Sequence, residues 1–310
     1  MVNRRRIKGD PKPRLTLPIL AVVILIIGGL LWRVIASAGK PFLVVAVASD
    51  PVQIFFYDRS SGRSSLLSIP AAAITGVSRG YGNYSLESVW RLSPLEKSPA
   101  IFSETLEYAT GLPVTAYIGA TDGRLLPEMP LDRLFSLNLV PAFLGGTFRS
   151  NLGLADYISL VRVLSTETLA RTKTITVTDQ QLREITLPDG SKVQEIDGGG
   201  LDRLYSHAFE IESLRGENLR ISVTNMTGRA GLGQAASRIL TNFGALVVRV
   251  DSMESDLAKC QIRIPDRLAR TVTVAVVRSI FNCRLEKIGP DDAAEISIRL
   301  GSDYKARIPE

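Results

Sequence analysis

The stretch "ISVTNMTGRAGLGQAASRILTNFGALVVRV" (221–250) carries the clearest structural pattern of the C-terminal part. A β-branched run ends at Asn225, and a turn with glycine leads into a helix start built of small residues. Gly231, Gly233 and the pair Ala235–Ala236 let such a helix lie close on a sheet. The stretch therefore predicts a strand, a tight turn and a helix packed on that strand.

The same turn is a candidate binding turn, because backbone amides at a glycine-rich helix start can hold an anion. Its residues are Asn225, Thr227, Gly228, Gly231 and Gly233. The glycines do not follow the dinucleotide fingerprint, and no Lys-Ser or Lys-Thr follows as in a P-loop. The spacing favours close packing over anion binding, and both interpretations stay open.

The residues after this stretch are also predicted to alternate between strands and helices. Strands are predicted at 259–266, 283–289 and 294–304, with a helix at 268–282 between the first two. We expect the order β-α-β-β-α-β and a small α/β sandwich, in which helices pack on one sheet.

Four features of this part resemble the LytR C-terminal domain. The strand end and turn read Asn225-Met226-Thr227-Gly228, the helix starts Gly231-Leu232-Gly233, and Phe243-Gly244-Ala245 precedes the next strand. The ending "ISIRLGSDY" (296–304) is similar to the family's Leu-Gly-x-Asp ending. The resemblance covers about 219–304 and implies a cell-envelope protein; the domain brings no catalytic role with it.

The first half is predicted to be α/β as well. A strand at 41–49 precedes a hairpin at 52–70, a helix at 100–113, a strand at 114–120 and a helix at 151–171. The hairpin "VQIFFYDRSSGRSSLLSIP" (52–70), "ETLEYATGLPVTAYIGA" (104–120) and "RSNLGLADYISLVRVL" (149–164) resemble the LytR-CpsA-Psr (LCP) family over roughly 42–180.

The LCP resemblance implies transfer of glycopolymers from polyprenyl pyrophosphate carriers onto the cell wall. That chemistry needs cations on a diphosphate, and bidentate arginine suits this role. Where the family has an Arg-Asp pair after Ile-Pro, this chain has Ala71 and Ala72, and the family's later arginine-rich segment has no counterpart. Asp50, Arg79 and Arg91 are the remaining catalytic candidates, and Mg²⁺ is implied only for a transferase.

The sequence thus supports two hypotheses. The first is a non-catalytic relative of LCP transferases, a pseudoenzyme that binds a cell-wall polymer or envelope proteins. The second is a divergent transferase that acts on polyprenyl-pyrophosphate-linked glycopolymers. The alanines at 71–72 favour the first, for which no cofactor or metal is expected.

The N-terminal segment predicts the location. Between Arg14 and Arg33 lie 18 residues without a charge, "LTLPILAVVILIIGGLLW", preceded by six basic residues. This length suits one membrane span, and the basic flank predicts a cytoplasmic N-terminus. Ala36-Ser37-Ala38 also fits a signal cleavage site, but Trp32 and Arg33 suit an uncleaved anchor better.

The composition of the chain argues against a nucleic-acid partner. The net charge of +6 is partly due to the basic N-terminal tail, and no dense basic face or helix-turn-helix indicates a nucleic-acid partner. Cys260 and Cys283 are the only cysteines, so an extracytoplasmic disulfide and two buried thiols both remain open. The single histidine, His207, lacks neighbours at metal-ligand spacing.

The predicted organisation follows from these signals. A basic cytoplasmic tail (1–14) precedes a transmembrane anchor (15–37), an LCP-like α/β domain (41–197), a linker (198–215) and a LytR C-terminal-like domain (216–310). The linker is expected to be irregular because it contains three successive glycines, Gly198 to Gly200.

Overall fold

The computed structural model describes residues 28–29, 40–95, 100–164, 171–187, 189–288, 294–307 and 309. Apart from residues 28–29, the predicted anchor at 15–37 lies outside these ranges. Within them, no helix has the length and apolar character needed to cross a membrane. Residues 40–310 form one compact unit.

The unit is a mixed α/β fold. Its strands in chain order are β1 (Phe42–Val47), β2 (Val52–Asp58), β3 (Ser64–Ile69), β4 (Ile74–Val77), β5 (Gly82–Ser85), β6 (Ala116–Ala120), β7 (Phe148–Ser150), β8 (Lys173–Thr176), β9 (Leu182–Thr186), β10 (Lys192–Ile196), β11 (Arg220–Asn225), β12 (Leu246–Ser252), β13 (Gln261–Arg263), β14 (Arg284–Glu286) and β15 (Ile296–Leu300).

The helices flank these strands. They are α1 (Leu86–Leu92), α2 (Ile101–Thr110), α3 (Leu131–Leu134), α4 (Val140–Leu144), α5 (Leu154–Val163), α6 (Gly198–Tyr205), α7 (Glu212–Glu217), α8 (Leu232–Asn242) and α9 (Val272–Phe281). Short 3₁₀ turns occupy 78–80, 137–139, 179–181, 266–268 and 302–307.

The first sheet has the order β7-β6-β1-β2-β3-β8, with β1 near its centre. Strand β1 runs antiparallel to β2 and parallel to β6, and all six of its residues are buried. A strand covered on both faces reads as a continuous apolar run, which explains the sequence "FLVVAV". The predicted hairpin is confirmed as β2 and β3, joined by the turn at 59–63.

Two further sheets complete the unit. One is four-stranded, in the order β5-β4-β10-β9, and the other is five-stranded, in the order β12-β11-β15-β13-β14. The strands predicted at 283–289 and 294–304 are both present, as β14 and β15. The C-terminal part therefore follows β-α-β-β-α-β-β, one strand more than the expected order β-α-β-β-α-β. The strand–turn–helix prediction for 221–250 is confirmed by β11 and α8.

One apolar core joins the first sheet to the C-terminal part. The ring of Phe243, just after α8, meets Phe42 of β1 at 4.9 Å and Phe56 of β2 at 5.4 Å between centroids. Phe56 also contacts Phe209, which precedes α7. These aromatic pairs each add to the stability gained by burial, so the two halves are expected to unfold together.

The prediction of an irregular segment at 198–215 is wrong in its local structure. The three glycines begin α6, whose start is capped by the side chain of Asp197, and α7 follows. Leu201, Tyr205 and Leu214 are buried in the shared core, which offsets the poor helix propensity of glycine. Pro141 lies in the first turn of α4, where its missing N–H costs no helical hydrogen bond.

Candidate functional site

The turn Pro70–Ala73 connects β3 to β4 against the start of α1. The carbonyls of Ala71 and Ala73 accept hydrogen bonds from the N–H groups of Glu87 and Leu86, at 3.0 and 3.1 Å. Ala71 and Ala73 are 2% and 1% exposed, whereas Ala72 faces solvent. The methyl groups at 71 and 73 belong to the core, so no charge fits there without displacing neighbours.

The three catalytic candidates have separate surroundings. Asp50 is exposed in the β1–β2 connection, and its N–H donates to the carbonyl of Leu126. Arg79 lies in the turn after β4 and makes a two-pronged ion pair with Glu104 of α2, at 2.8 and 3.0 Å.

Arg91 of α1 pairs with Glu87 one helical turn earlier, and its side chain is 65% exposed. Both arginine candidates therefore already have a carboxylate, which lowers their attraction for a phosphate.

The candidate binding turn is closed by its own side chains. Asn225 accepts hydrogen bonds from the N–H and the hydroxyl of Thr227, at 3.1 and 2.7 Å, and donates to the carbonyl of Arg229. Gly228 and Gly231 have φ of 70° and 83°, values that favour glycine. A Cβ on Gly233 would lie 2.9 Å from a methyl of Val250, so α8 needs glycine there to lie close on β12.

The remaining predicted residues are the two cysteines and the histidine. Cys260 and Cys283 are joined by a disulfide, with Cα atoms 4.5 Å apart, linking the start of β13 to the start of β14. His207 lies between α6 and α7, where its Nδ1 contacts a carboxylate oxygen of Glu210. No cluster of three histidine, cysteine or carboxylate side chains among the described residues could hold a metal ion.

A polar cleft of about 850 Å³ lies where α2, the β10–α6 connection, the start of α8 and the chain after β15 meet. This volume is in the range of small-molecule and cofactor sites. Four carboxylates and three guanidinium groups line it, namely Glu107, Glu195, Asp197, Asp202, Arg183, Arg238 and Arg307. Gly231 of the binding turn also lines the cleft.

Two arginines of the cleft already have hydrogen-bond partners. Arg238 pairs with Asp202 and donates to the carbonyls of Tyr108, Ala109 and Gly198. Arg307 pairs with Glu107 at 3.3 Å. These two guanidinium groups therefore stabilise the walls of the cleft and are not free to bind an anionic ligand.

Glu107 is buried at the base of this arrangement. Its carboxylate accepts from the hydroxyl of Tyr304 at 3.2 Å and from Arg307 at 3.3 Å. Burial raises the pKa of Glu107, and the charge of Arg307 opposes that rise only in part. The carboxylate ties α2 to the C-terminal segment that forms one wall of the cleft.

Other polar side chains of the cleft have donor or acceptor groups that a ligand could use. Asn83, Glu195 and Gln234 line it, and the part of the chain that the structure describes offers their side chains no hydrogen bond. Tyr108 adds an aromatic ring that is 40% exposed. Amide, carboxylate and aromatic groups together can bind hydroxyl and acetamido groups and stack against a sugar ring.

Sequence reasoning missed most of the cleft. Asn83, Tyr108, Glu195 and Gln234 come from four separate segments, and none of them was predicted as a binding residue. Tyr108 lies within 104–120 and Gln234 within 221–250, but neither side chain was singled out there. The sequence named Ala235 for close packing and Gly198 for the predicted linker, and it marked Gly231 as a binding candidate by the glycine spacing of the turn. The cleft forms through long-range packing, which no local pattern reports.

Comparison with known proteins identifies the C-terminal part. Residues 218–304 match the model of the family described as "LytR cell envelope-related transcriptional attenuator". No curated protein matches the chain.

Several solved structures resemble part of the fold. TagV of Bacillus subtilis is 12% identical over 54% of this chain and 94% of its own, with a TM-score of 0.39. TagT of Bacillus subtilis is 14% identical over 55% and 90%, with a TM-score of 0.36. Lin1025 of Listeria innocua is 13% identical over 53% and 95%, also with a TM-score of 0.36. The family match confirms, for residues 218–304, the LytR C-terminal domain that the sequence predicts.

Proposed function

We propose that this chain is a membrane-anchored, extracytoplasmic cell-envelope protein that binds a cell-wall glycan and performs no transfer chemistry. It is a non-catalytic relative of the LCP transferases. The observation that carries the proposal is the Pro70–Ala73 turn, where buried Ala71 replaces the cation expected from the LCP pattern.

The other catalytic candidates support the same conclusion. Arg79 is held by Glu104, and Arg91 by Glu87, while Asp50 lies in a different connection. Transfer from a pyrophosphate carrier requires positive groups that converge on the diphosphate and stay free to bind it. Both arginines are instead paired with carboxylates, Arg79 with Glu104 of α2 and Arg91 with Glu87 one helical turn earlier.

The cleft supplies the binding function. Its unused groups are the amides of Asn83 and Gln234, the carboxylate of Glu195 and the ring of Tyr108. A sugar hydroxyl both donates and accepts, so it can use amide and carboxylate groups in one site. With one carboxylate more than guanidinium groups, the cleft favours an uncharged glycan over a diphosphate.

The anchoring part of the proposal rests on the sequence. The uncharged stretch between Arg14 and Arg33 has the length of one span, and the basic tail before it favours a cytoplasmic N-terminus. The body from Lys40 onward then lies outside the cytoplasm, where the Cys260–Cys283 disulfide is stable.

A transfer assay separates binding from catalysis. The full chain is incubated with a polyprenyl-pyrophosphate-linked oligosaccharide, Mg²⁺ and cell-wall glycan acceptor, and the label moved to the acceptor is counted. We expect no transfer above a protein-free control, and no thermal stabilisation by polyprenyl phosphate with Mg²⁺. Transfer that disappears in the variants Arg79→Gln and Arg91→Gln would establish the transferase hypothesis instead.

A further inference from the structure

One end of the first sheet carries a group of cations that the proposed function does not use. The N–H of Arg59 donates to the carbonyl of Pro41, the N–H of Asp58 donates to that of Arg63, and the hydroxyls of Ser64 and Thr172 lie 2.7 Å apart. The start of β1, the β2–β3 turn and the start of β8 therefore meet at this end. We call it the basic end; its cations are Lys40, Arg59, Arg63, Arg171 and Lys173.

Most of these cations face solvent. Lys40 is 47% exposed, and Arg63, Arg171 and Lys173 are exposed. Arg59 is mostly covered and faces Asp156 at 3.9 Å, and Lys40 reaches the same carboxylate at 3.5 Å. Across the described ranges, no carboxylate forms an ion pair with Arg63, Arg171 or Lys173.

The acidic groups at this end offset only part of the positive charge of its cations. Asp58 is buried, and the hydroxyls of Ser60 and Ser61 satisfy its two oxygens at 2.7 Å. Asp156 is shared by Lys40 and Arg59. Glu212, whose N–H donates toward Asp58, is the exposed carboxylate beside the β2–β3 turn. Among the residues that the structure describes at this end, the solvent-facing charge is therefore positive.

The basic end begins just after the predicted membrane span, which indicates that its partner is the membrane. Lys40 comes three residues after the predicted span ends at residue 37, and three extended residues reach about 11 Å at most. That distance is close to the Debye length of roughly 10 Å at 0.1 M salt, so charges there act on a nearby lipid surface. We propose that the basic end docks on the anionic phospholipid headgroups of the membrane, an inference that deepens the proposed anchoring.

A basic residue near an anionic bilayer strengthens attachment about fivefold. Several such residues on one end of a rigid sheet would also fix how the body stands on the membrane. The cleft would then be held at a constant orientation toward the wall.

Vesicle flotation of the fragment 40–310 tests whether the basic end binds lipid. This fragment forms a compact unit with its own core. Vesicles are made of phosphatidylcholine alone or with phosphatidylglycerol. We expect binding only to the anionic vesicles. The triple variant Arg63→Gln, Arg171→Gln, Lys173→Gln should weaken it by at least about tenfold.

A matched control removes three exposed cations elsewhere, with Lys192→Gln, Arg203→Gln and Arg249→Gln, whose side chains are 68%, 78% and 60% exposed. This variant has the same net charge and should stay within about twofold of the parent chain. Equal loss in both triple variants, or no preference for anionic vesicles, would overturn the inference. The fragment lacks the predicted span, so failure here is distinct from failure of anchoring, which membrane fractionation of the full chain tests.

Discussion

The guanidinium of Arg238 in α8 bonds both carboxylate oxygens of Asp202 in α6, with its Nε 3.0 and 2.8 Å away. The same guanidinium reaches the carbonyls of Tyr108 and Ala109 in α2 and of Gly198 in α6. One side chain of the LytR C-terminal domain thus joins two helices of the preceding part and shapes a wall of the cleft.

Replacing Arg238 by alanine should therefore destabilise residues 40–310 as a whole. Loss of a charge-assisted pair and of several carbonyl contacts is expected to cost about 2–3 kcal/mol, measured by urea unfolding. Arg203→Ala is the control, because the Arg203 side chain is 78% exposed and lies 3.6 Å from Asp197, a longer separation than that of the Arg238 pair. This substitution should lower the free energy of unfolding by less than about 0.5 kcal/mol. Equal costs in the two variants would contradict the linking role of Arg238.

Restoring the LCP-type cation at position 71 should damage the protein. The substitution Ala71→Arg places a long charged side chain at a site that is 2% exposed, with an expected cost above about 2 kcal/mol in the free energy of unfolding. Ala72→Asp, at the exposed neighbour, should change it by less than about 0.5 kcal/mol. If Ala71→Arg folded normally and gained transfer activity, the turn would be an active-site edge after all.

The disulfide should contribute measurably to stability. Cys260 and Cys283 are 23 residues apart in sequence, and closing a loop of that length stabilises by about 3 kcal/mol in the chain-entropy account. A reductant should lower the urea midpoint of the parent chain but leave the Cys260→Ser, Cys283→Ser double variant unchanged. Mass spectrometry of the unreduced chain should find two hydrogens fewer than for the dithiol, and a full-mass dithiol would refute the bond.

Glu107 should give stability a specific pH dependence. Burial raises its pKa in the folded state above the ordinary value of 4.5, so the folded chain binds the proton more tightly than the unfolded chain. Its contribution is therefore most favourable below about pH 4.5 and is lost as pH rises through the folded-state pKa.

The comparison with Glu107→Gln isolates this effect. The difference in melting temperature, parent minus variant, should fall as pH rises from about 4 to 7. A difference that rises with pH would mean that Arg307 holds the pKa of Glu107 below its ordinary value.

The sequence predicted the parts of this fold that local patterns encode. The apolar run of β1, the hairpin turn before Arg63 and the strand–turn–helix at 221–250 were all readable from periodicity and glycine placement. The helical course of 198–215 was not, because three glycines argue against a helix until the burial of Leu201 and Tyr205 outweighs them. The cleft was not readable either, since Asn83 and Gln234 come to line one cleft only when the sheets assemble.

Calorimetric titration of soluble cell-wall glycan fragments into residues 40–310 measures glycan binding by the cleft. We predict binding that the double variant Asn83→Ala, Gln234→Ala weakens by about tenfold or more, since each lost hydrogen bond costs about 1 kcal/mol. The matched double variant Asn138→Ala, Gln180→Ala removes an exposed amide pair outside the cleft and should bind like the parent chain. Equal affinity in both double variants, or no binding by the parent chain, would contradict the account.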